Sequence, residues 1–451
     1  MKVAIYTLGC KVNQYETQAM EKLLKERGHA VTDFSRDADA YIVNTCSVTA
    51  VSGQKSRQAV RRVQREHPGA VIAVCGCYAQ TNAEEARALG VDLLSGTGDR
   101  IGFIALLEQA VERRAKSEAT ARRESEASDN PPPESERRAT LEALDNPLTR
   151  REFEPLPAGG MSGRTRAMLK VEDGCSNFCA YCIIPYARGP VRSEPLAEAV
   201  RQARELAAEG VREIVVTGIE ISSWGRDLRD GQTLTDLAQA LCEAVPETRI
   251  RLGSLEPRTV TPDFCRRLAA FPNLCPQFHL SLQSGCDDTL KRMRRRYDTA
   301  RYLESVELLR EAFDRPAITT DLITGFPGET DAEFAKTLDF IRQCAFARMH
   351  VFPYSLRPGT PAAEMEQIPK AVKEERAARA AAIAAKMRAA YLSGCVGERY
   401  AVLFEQAKDG AFHGHAPNYA DVYAPGEGLH NEIRAVRILS SDGKALYGEI
   451  E

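Results

Sequence analysis

Leu169-Lys170-Val171-Glu172-Asp173-Gly174-Cys175-Ser176-Asn177-Phe178-Cys179-Ala180-Tyr181-Cys182-Ile183-Ile184-Pro185 is the stretch on which the reading of this 451-residue chain turns. An apolar strand, Ala167–Val171, runs into a loop with three cysteines spaced i, i+4, i+7. Gly174 before them and Pro185 after them favour a loop able to wrap a metal cluster. Iron–sulfur clusters are held by cysteine thiolates, usually four. Here no fourth cysteine follows nearby, and a four-iron cluster on three thiolates keeps one iron open, the mark of a reactive metal site. The same spacing would also put three small apolar residues on one helix face, and a zinc ion would accept the thiolates if a fourth ligand joined them.

Downstream of this loop, strands alternate with helices. Glu213–Thr217, Arg249–Leu252, Gln277–Leu282, Ala317–Ile323 and Arg348–Phe352 join Ala167–Val171 as six strand candidates. Six βα units predict a partial parallel barrel, of (β/α)6 type, over residues 161–392, ending in a long Ala/Lys/Arg/Glu helix, Lys370–Leu392. Residues 393–451 switch to short strands with Gly and Asn turns, which predicts a small β-barrel. Upstream, residues 1–113 alternate strands (Val3–Leu8, Ala40–Asn44, Ala70–Val74) with helices (Glu16–Arg27, Val51–Glu66, Asn82–Leu89), the pattern of a parallel α/β layer. Residues 114–160, rich in charge and Ser and carrying Pro131-Pro132-Pro133, read as a solvated or partly disordered linker. The fold class is therefore α/β with a C-terminal β-barrel.

The bulk numbers bound the function. Hydrophobic residues make up 43%, enough for a large core. No apolar stretch of about 18 residues predicts a membrane span, and Met1–Tyr6 reads as a strand rather than a signal peptide. A cytoplasmic protein without a membrane partner is expected. Thirteen cysteines in that compartment point to metal or redox chemistry rather than disulfides. The net charge of −3 neither implies nor excludes nucleic acid, which needs only a local basic patch.

Three further cysteine segments lie near the start. Leu8-Gly9-Cys10-Lys11-Val12-Asn13-Gln14, Asn44-Thr45-Cys46 and Cys75-Gly76-Cys77-Tyr78-Ala79-Gln80 each follow a predicted strand. Parallel strands bring such positions to one carboxyl edge, where open α/β sheets bind ligands. Any one of these cysteines alone reads equally well as a buried core residue. Cys242, Cys265, Cys275, Cys286, Cys344 and Cys395 are isolated and are assigned to packing.

The Cys175–Cys182 loop, with Tyr181 before its last cysteine and Ile183-Ile184-Pro185-Tyr186-Ala187-Arg188-Gly189 after it, resembles the radical S-adenosylmethionine superfamily and its methylthiotransferase branch. The resemblance implies that Cys175, Cys179 and Cys182 hold a 4Fe-4S cluster that cleaves S-adenosylmethionine to a 5′-deoxyadenosyl radical. It also implies that Cys10, Cys46 and Cys77 hold an auxiliary 4Fe-4S cluster carrying the sulfur to be inserted, with Cys75 a core residue. Segments resembling those that line the family's S-adenosylmethionine pocket contain Thr217, Gly218, Glu220, Glu256, Gln283, Ser284 and Gly325, and Tyr181 joins them. Ordinary βα-turn chemistry would by itself explain most of the glycines among them.

Three branches share the two-cluster plan, acting on isopentenylated adenosine, on threonylcarbamoyladenosine or on a ribosomal-protein aspartate. Tyr6–Thr17, Asn44–Thr49 and Lys55-Ser56-Arg57-Gln58 look most like the second. That resemblance implies methylthiolation at C2 of N6-threonylcarbamoyladenosine at position 37 of tRNA, with a flavodoxin- or ferredoxin-type electron donor and a sulfur donor as partners. An iron–sulfur electron carrier or an RNA-binding regulator is the non-enzymatic alternative. Candidate RNA contacts are Lys55 and Arg57, and Arg294, Arg295 and Arg296 in a basic run that a solvated face would also explain. Tyr400–Glu405, Gly414–Tyr419 and Leu446–Glu449 resemble the RNA-binding TRAM barrel. From Glu398 onward that segment has five basic against nine acidic residues, a net of −4, so aromatic contacts such as Tyr419 are expected in place of phosphate attraction.

Overall fold

The computed structural model describes residues 1–47, 50–125, 140–158, 165–408 and 410–451. The chain forms two compact units. The first comprises residues 1–161 together with 173–177 and 182–192, and the remainder belongs to the second.

The first unit is built on a six-stranded parallel sheet. Its order is Ala30–Thr32, Lys2–Thr7, Ala40–Thr45, Val71–Gly76, Leu93–Ser95, Leu141–Ala143. Ala40–Thr45 and Val71–Gly76 are buried along their whole length, as strands covered on both faces must be. Successive side chains pack alternately on two cores. Ala4, Tyr41, Val43, Ile72 and Val74 meet Val60 and Val63 of the helix Ala50–Glu66. Val3, Ile42 and Ala73 meet Met20 and Leu24 of the helix Lys11–Glu26, and Phe103, Ile104 and Leu107 of the helix Arg100–Ser125. The first strand lies between the second and third, so the strand order reverses beside it. That is where open α/β sheets leave a crevice at their carboxyl edge.

The stretch 114–160 carries regular structure at both ends. The helix Arg100–Ser125 carries on through the charged residues after 113, and Leu141–Ala143 supplies the sixth strand. The Pro131–Pro133 run and the boundary at 160/161 lie outside the described residues.

The second unit contains the six expected parallel strands in succession. Arg166–Lys170, Glu213–Thr217 and Arg249–Leu252 pair in one sheet. Ser254–Leu255, Gln277–Leu280, Ala317–Thr324 and Arg348–Pro353 pair in another, so the third strand is broken at Gly253. The helix Lys370–Ser393 then leads into a closed barrel of Arg399–Lys408, Ala411–His415, Asp421–Ala424, Leu446–Ile450 and Ile433–Ser441. Val402, Phe404, Val422, Val436 and Leu446 fill it, with Leu392 and Cys395 from the end of the helix. Among the described residues no helix is long and apolar enough to cross a membrane.

Candidate functional site

The three N-terminal cysteine segments meet at the carboxyl edge of the first sheet. Cys10 caps the helix Lys11–Glu26, Cys46 follows the strand Ala40–Thr45, and Cys77 opens the short helix Cys77–Thr81. Two glycines make the approach possible. Gly9 has φ +116°, and a Cβ there would lie 2.8 Å from the Cys46 Cβ and 2.9 Å from its Sγ. Gly76 has φ +98°, and a Cβ there would strike the Thr45 carbonyl at 2.4 Å. Neither backbone conformation suits an L side chain.

Side-chain amides and hydroxyls stitch the three loops together. Asn13 Nδ2 donates to the Leu8 carbonyl and to the Thr45 carbonyl, both at 2.8 Å. Asn44 Nδ2 donates to the Asn13 carbonyl at 3.0 Å, and Thr45 Oγ1 to the Cys75 carbonyl at 2.6 Å. Behind them lies a buried charge network. Arg188 donates to Asn13 Oδ1 at 2.9 Å, to Glu16 Oε1 at 2.7 Å and to Asp173 at 3.2 Å. Arg100 donates to the other Glu16 oxygen at 3.1 Å. Burial pushes the Cys77 thiol up to about 12, against the opposing pull of Arg188. Free of metal, that sulfur keeps its proton, and a bound metal displaces it. The sequence reading missed Asn13, Glu16, Arg100 and Arg188 as parts of this site.

The donor set fits a cluster rather than a single ion. Among the described residues, the groups of three possible ligands with ligand atoms mutually within 4.8 Å are His413, His415, Asp421 and Cys286, Asp288, Glu333; the trio Cys10, Cys46 and Cys77 is not among them. A lone tetrahedral ion with metal–sulfur bonds of about 2.3 Å would draw its thiolates closer than that. A four-iron cube spreads them over separate irons, and soft thiolates are its usual donors. Cys75 is fully buried in the core, and the six isolated cysteines are buried as well.

The second cysteine loop is anchored through its backbone. The Cys175 N–H donates to the Gly189 carbonyl at 3.0 Å. In the second unit, the Ala180 N–H donates to the Met293 carbonyl, and its carbonyl accepts from Ala362. Cys179 is buried, and its Sγ accepts from Arg295 Nη1 at 3.1 Å.

The candidate S-adenosylmethionine contacts lie at strand ends in the second unit, with different exposures. Thr217 is buried and Glu220 half-buried; the Glu220 N–H donates to Glu172 at 2.7 Å, and burial raises its carboxyl above the usual range. Glu256 accepts from Arg258 at 2.9 Å. Gln283 adopts φ +68° and pairs its backbone with Asp321 and Ile323. Three candidates are closely packed. Ser284 Oγ faces Thr337 Oγ1 at 3.4 Å, a side chain at Gly218 would meet the Glu172 carboxylate, and one at Gly325 would meet Lys373.

The RNA candidates divide in the same way. Lys55, Arg294 and Arg296 are exposed. Arg57 is engaged by Tyr78 and Glu85, each at 3.3 Å, and Arg295 is turned to Cys179. Tyr419 does not face solvent as a stacking platform: its hydroxyl accepts from Arg166 at 2.9 Å, its ring stacks on His415 and Arg251 lies 4.6 Å over it. Tyr423 and Tyr447, stacked 5.6 Å apart, instead line a groove of about 700 Å³ on the C-terminal barrel. Nearby, His413 and His415 bond to Asp421 at 3.1 and 3.4 Å. Arg166 and Arg388 already offset the carboxylates of Glu405 and Asp421 there.

Residues 169–341 match the radical SAM superfamily, and residues 2–96 match a family described as Uncharacterized protein family UPF0004. A Bacillus subtilis protein named threonylcarbamoyladenosine tRNA methylthiotransferase MtaB is 38% identical over 97% of this chain and 94% of its own length. The chain belongs to the radical S-adenosylmethionine methylthiotransferase family. The Thermotoga maritima protein of the same name is 33% identical over 98% of this chain and 95% of its own length. A Streptomyces coelicolor tRNA-2-methylthio-N(6)-dimethylallyladenosine synthase is 36% identical over 92% and 80%. Among solved structures, the Kitasatospora setae radical S-adenosylmethionine methyltransferase TsrM superposes with a TM-score of 0.56 at 18% identity, covering 80% of this chain and 77% of its own, a likeness of fold. Members of this methylthiotransferase family use S-adenosylmethionine and two 4Fe-4S clusters.

Proposed function

We propose that this protein transfers a methylthio group to C2 of N6-threonylcarbamoyladenosine at position 37 of tRNA. The meeting of Cys10, Cys46 and Cys77 at one sheet edge, with Gly9 making room for Cys46, carries the two-cluster part of this reading. The adenine substituent rests on the 38% identity to the Bacillus subtilis protein. The domain assignment follows from the same reading: an auxiliary-cluster domain over 1–113, a linker over 114–160, a radical SAM barrel over 161–392 and a TRAM-like barrel from 393. The protein acts in the cytoplasm, with a flavodoxin- or ferredoxin-type electron donor and a separate sulfur donor.

When bound, the clusters and S-adenosylmethionine supply one-electron cleavage to a carbon radical and a sulfur ready for transfer. The chain supplies the arrangement. Cys175, Cys179 and Cys182 hold one cluster, and Cys10, Cys46 and Cys77 hold the other. Cys10 stands at the N-terminus of the helix Lys11–Glu26, and Cys77 opens the helix Cys77–Thr81. Arg188 adds a buried positive charge beside Cys77. Tyr181, Thr217, Glu220, Glu256 and Gln283 orient S-adenosylmethionine at the strand ends, where polar groups suit ribose hydroxyls and the amino-acid head. Lys55, Arg294 and Arg296 contact phosphates, and Tyr423 and Tyr447 offer ring faces to unpaired bases. An adenosine in a single-stranded loop costs less to extrude than one in a duplex.

The test is nucleoside mass analysis of tRNA incubated with reconstituted protein, dithionite and S-adenosylmethionine. Gain of a methylthio mass on threonylcarbamoyladenosine supports the proposal. Modification of the isopentenylated nucleoside, or of a ribosomal protein and not tRNA, would reassign the substrate. Absence of 5′-deoxyadenosine would point to a carrier or regulator.

A further inference from the structure

Arg295 belongs to the basic run that follows the helix Asp287–Arg292, yet it does not serve as a surface charge. Arg294 adopts φ +59°, a left-handed step that turns the chain just before Arg295. Arg295 Nε then donates to the Tyr297 hydroxyl at 3.1 Å, and its guanidinium lies 4.8 Å from the Tyr297 ring centroid. Tyr297 is itself buried, and its hydroxyl donates to the Leu282 carbonyl at 2.8 Å and to that of Ser281. Held this way, Nη1 reaches Cys179 Sγ at 3.1 Å. The Ala180–Met293 backbone bond fixes the same two segments against each other, one residue from Cys179 and two from Arg295. A chain of contacts thus runs from a strand-end backbone, through a locked tyrosine, to one sulfur of the Cys175–Cys182 trio.

We propose that Arg295 is a positioning residue of the S-adenosylmethionine-cleaving site: clamped by Tyr297, it donates a charge-assisted hydrogen bond to the Cys179 thiolate and makes the cluster held there easier to reduce. The proposal rests on the reading of Cys175, Cys179 and Cys182 as cluster ligands. Hydrogen bonds to cluster sulfurs and nearby charge set the reduction potential of iron–sulfur centres. Reduction adds negative charge, so a fixed cation at one sulfur favours the reduced form. Partners at this remove from a metal typically matter by on the order of 10-fold or more.

The test uses the full-length chain, reconstituted with iron and sulfide, carrying Cys10→Ala, Cys46→Ala and Cys77→Ala so that one cluster alone gives the signal. Its midpoint potential is read by redox titration followed by electron paramagnetic resonance, without tRNA. Arg295→Gln is expected to lower the one-electron reduction equilibrium by on the order of tenfold, which is about 59 mV more negative. Arg295→Lys, which keeps the charge but loses the planar fork, should recover part of that shift. Tyr297→Phe removes only the clamp, so it should move the potential the same way by less. An unchanged midpoint in Arg295→Gln with iron retained overturns the proposal. So does weakened S-adenosylmethionine binding at an unchanged potential, which would assign the guanidinium to the substrate carboxylate. If Arg295→Gln loses its iron, unchanged midpoints in Arg295→Lys and Tyr297→Phe overturn it instead. A triple-alanine chain that takes up no iron would sink the underlying ligand assignment, whereas the wrong tRNA nucleoside would leave this proposal standing.

Discussion

Gly9→Ala should remove the auxiliary cluster and leave the other intact. Two penalties combine. At φ +116° an alanine sits in a region that costs a non-glycine residue about 1–3 kcal/mol. Its Cβ would also lie 2.8 Å from the Cys46 Cβ and 2.9 Å from the Cys46 Sγ, overlaps that real contacts do not sustain. Overpacking of this kind costs about 1–3 kcal/mol, so the total is roughly 2–6 kcal/mol. The other neighbour within reach is Asn13 Nδ2 at 3.0 Å, and it is held by the Leu8 and Thr45 carbonyls. Relief must therefore come from Cys46 or from the Cys10 loop, and either movement separates two of the three ligands. Iron and sulfide should fall from two clusters per chain to one, methylthio transfer should vanish, and 5′-deoxyadenosine release should persist. Gly28→Ala is the control, because it pays the φ penalty at +80° with nothing within 4 Å of the added Cβ. Two clusters and full transfer in Gly9→Ala would refute the reasoning, as would the same cluster loss in Gly28→Ala.

Cys179→Ala should abolish 5′-deoxyadenosine release, whereas Cys46→Ala should spare it and abolish methylthiolation; full transfer by Cys46→Ala, measured on tRNA nucleosides, would remove it from the ligand set. Arg188→Met takes one cation from the buried Glu16 and Asp173, leaving Arg100 on Glu16 and Arg192 3.6 Å from Asp173, at a cost of up to about 3–5 kcal/mol, so thermal unfolding of the full chain should move below wild type, and an unchanged transition would contradict the network. Burial would raise the Glu213 carboxyl, but the Arg251 guanidinium overrides it and holds the group down to about 2, below its ordinary 4.5. The folded value is the lower one, so this stabilisation, roughly 3 kcal/mol, is complete above about pH 5 and fades as pH falls toward 2. Glu213→Gln should flatten the acid limb of a stability–pH curve in that window, and an unaltered limb would show that Glu213 does not govern it.

What the sequence disclosed follows from how local each signal is. The strands Ala40–Thr45 and Val71–Gly76 read from continuous apolar runs because both faces are covered. The three N-terminal cysteines read as a site because each ended such a run. Charge density from 114 onward reads as solvation, but it does not tell a solvated coil from a solvated helix; Glu, Arg, Ala and Lys are also strong helix formers, and the helix continues to Ser125. Arg295 reads as an RNA contact from its place in a basic run, and Tyr419 from its place in a segment resembling the TRAM barrel. Their partners, Cys179 and Arg166, are 116 and 253 residues away in the chain, so nothing in the local pattern could have found them. The same holds for Arg188, whose contact with Asn13 spans 175 residues.

That last contact decides why residue 13 is asparagine. Buried ion pairs are seldom a net source of stability, so Arg188, Glu16 and Asp173 call for another reason. Arg188 can only donate, and it donates to one end of the Asn13 amide. That fixes the amide's orientation: the oxygen faces Arg188, and the NH2 group must face the other way. There it meets two carbonyls, Leu8 on the approach to Cys10 and Thr45 directly before Cys46. An aspartate would turn acceptors toward those carbonyls, and a leucine would take the amide N–H groups from both carbonyls and the amide oxygen from the guanidinium. Only a side chain that accepts at one end and donates twice at the other closes the set. The charge network therefore acts through geometry. A guanidinium six residues beyond Cys182 sets the direction of an amide, and the amide holds two cysteine loops at the spacing that Gly9 permits.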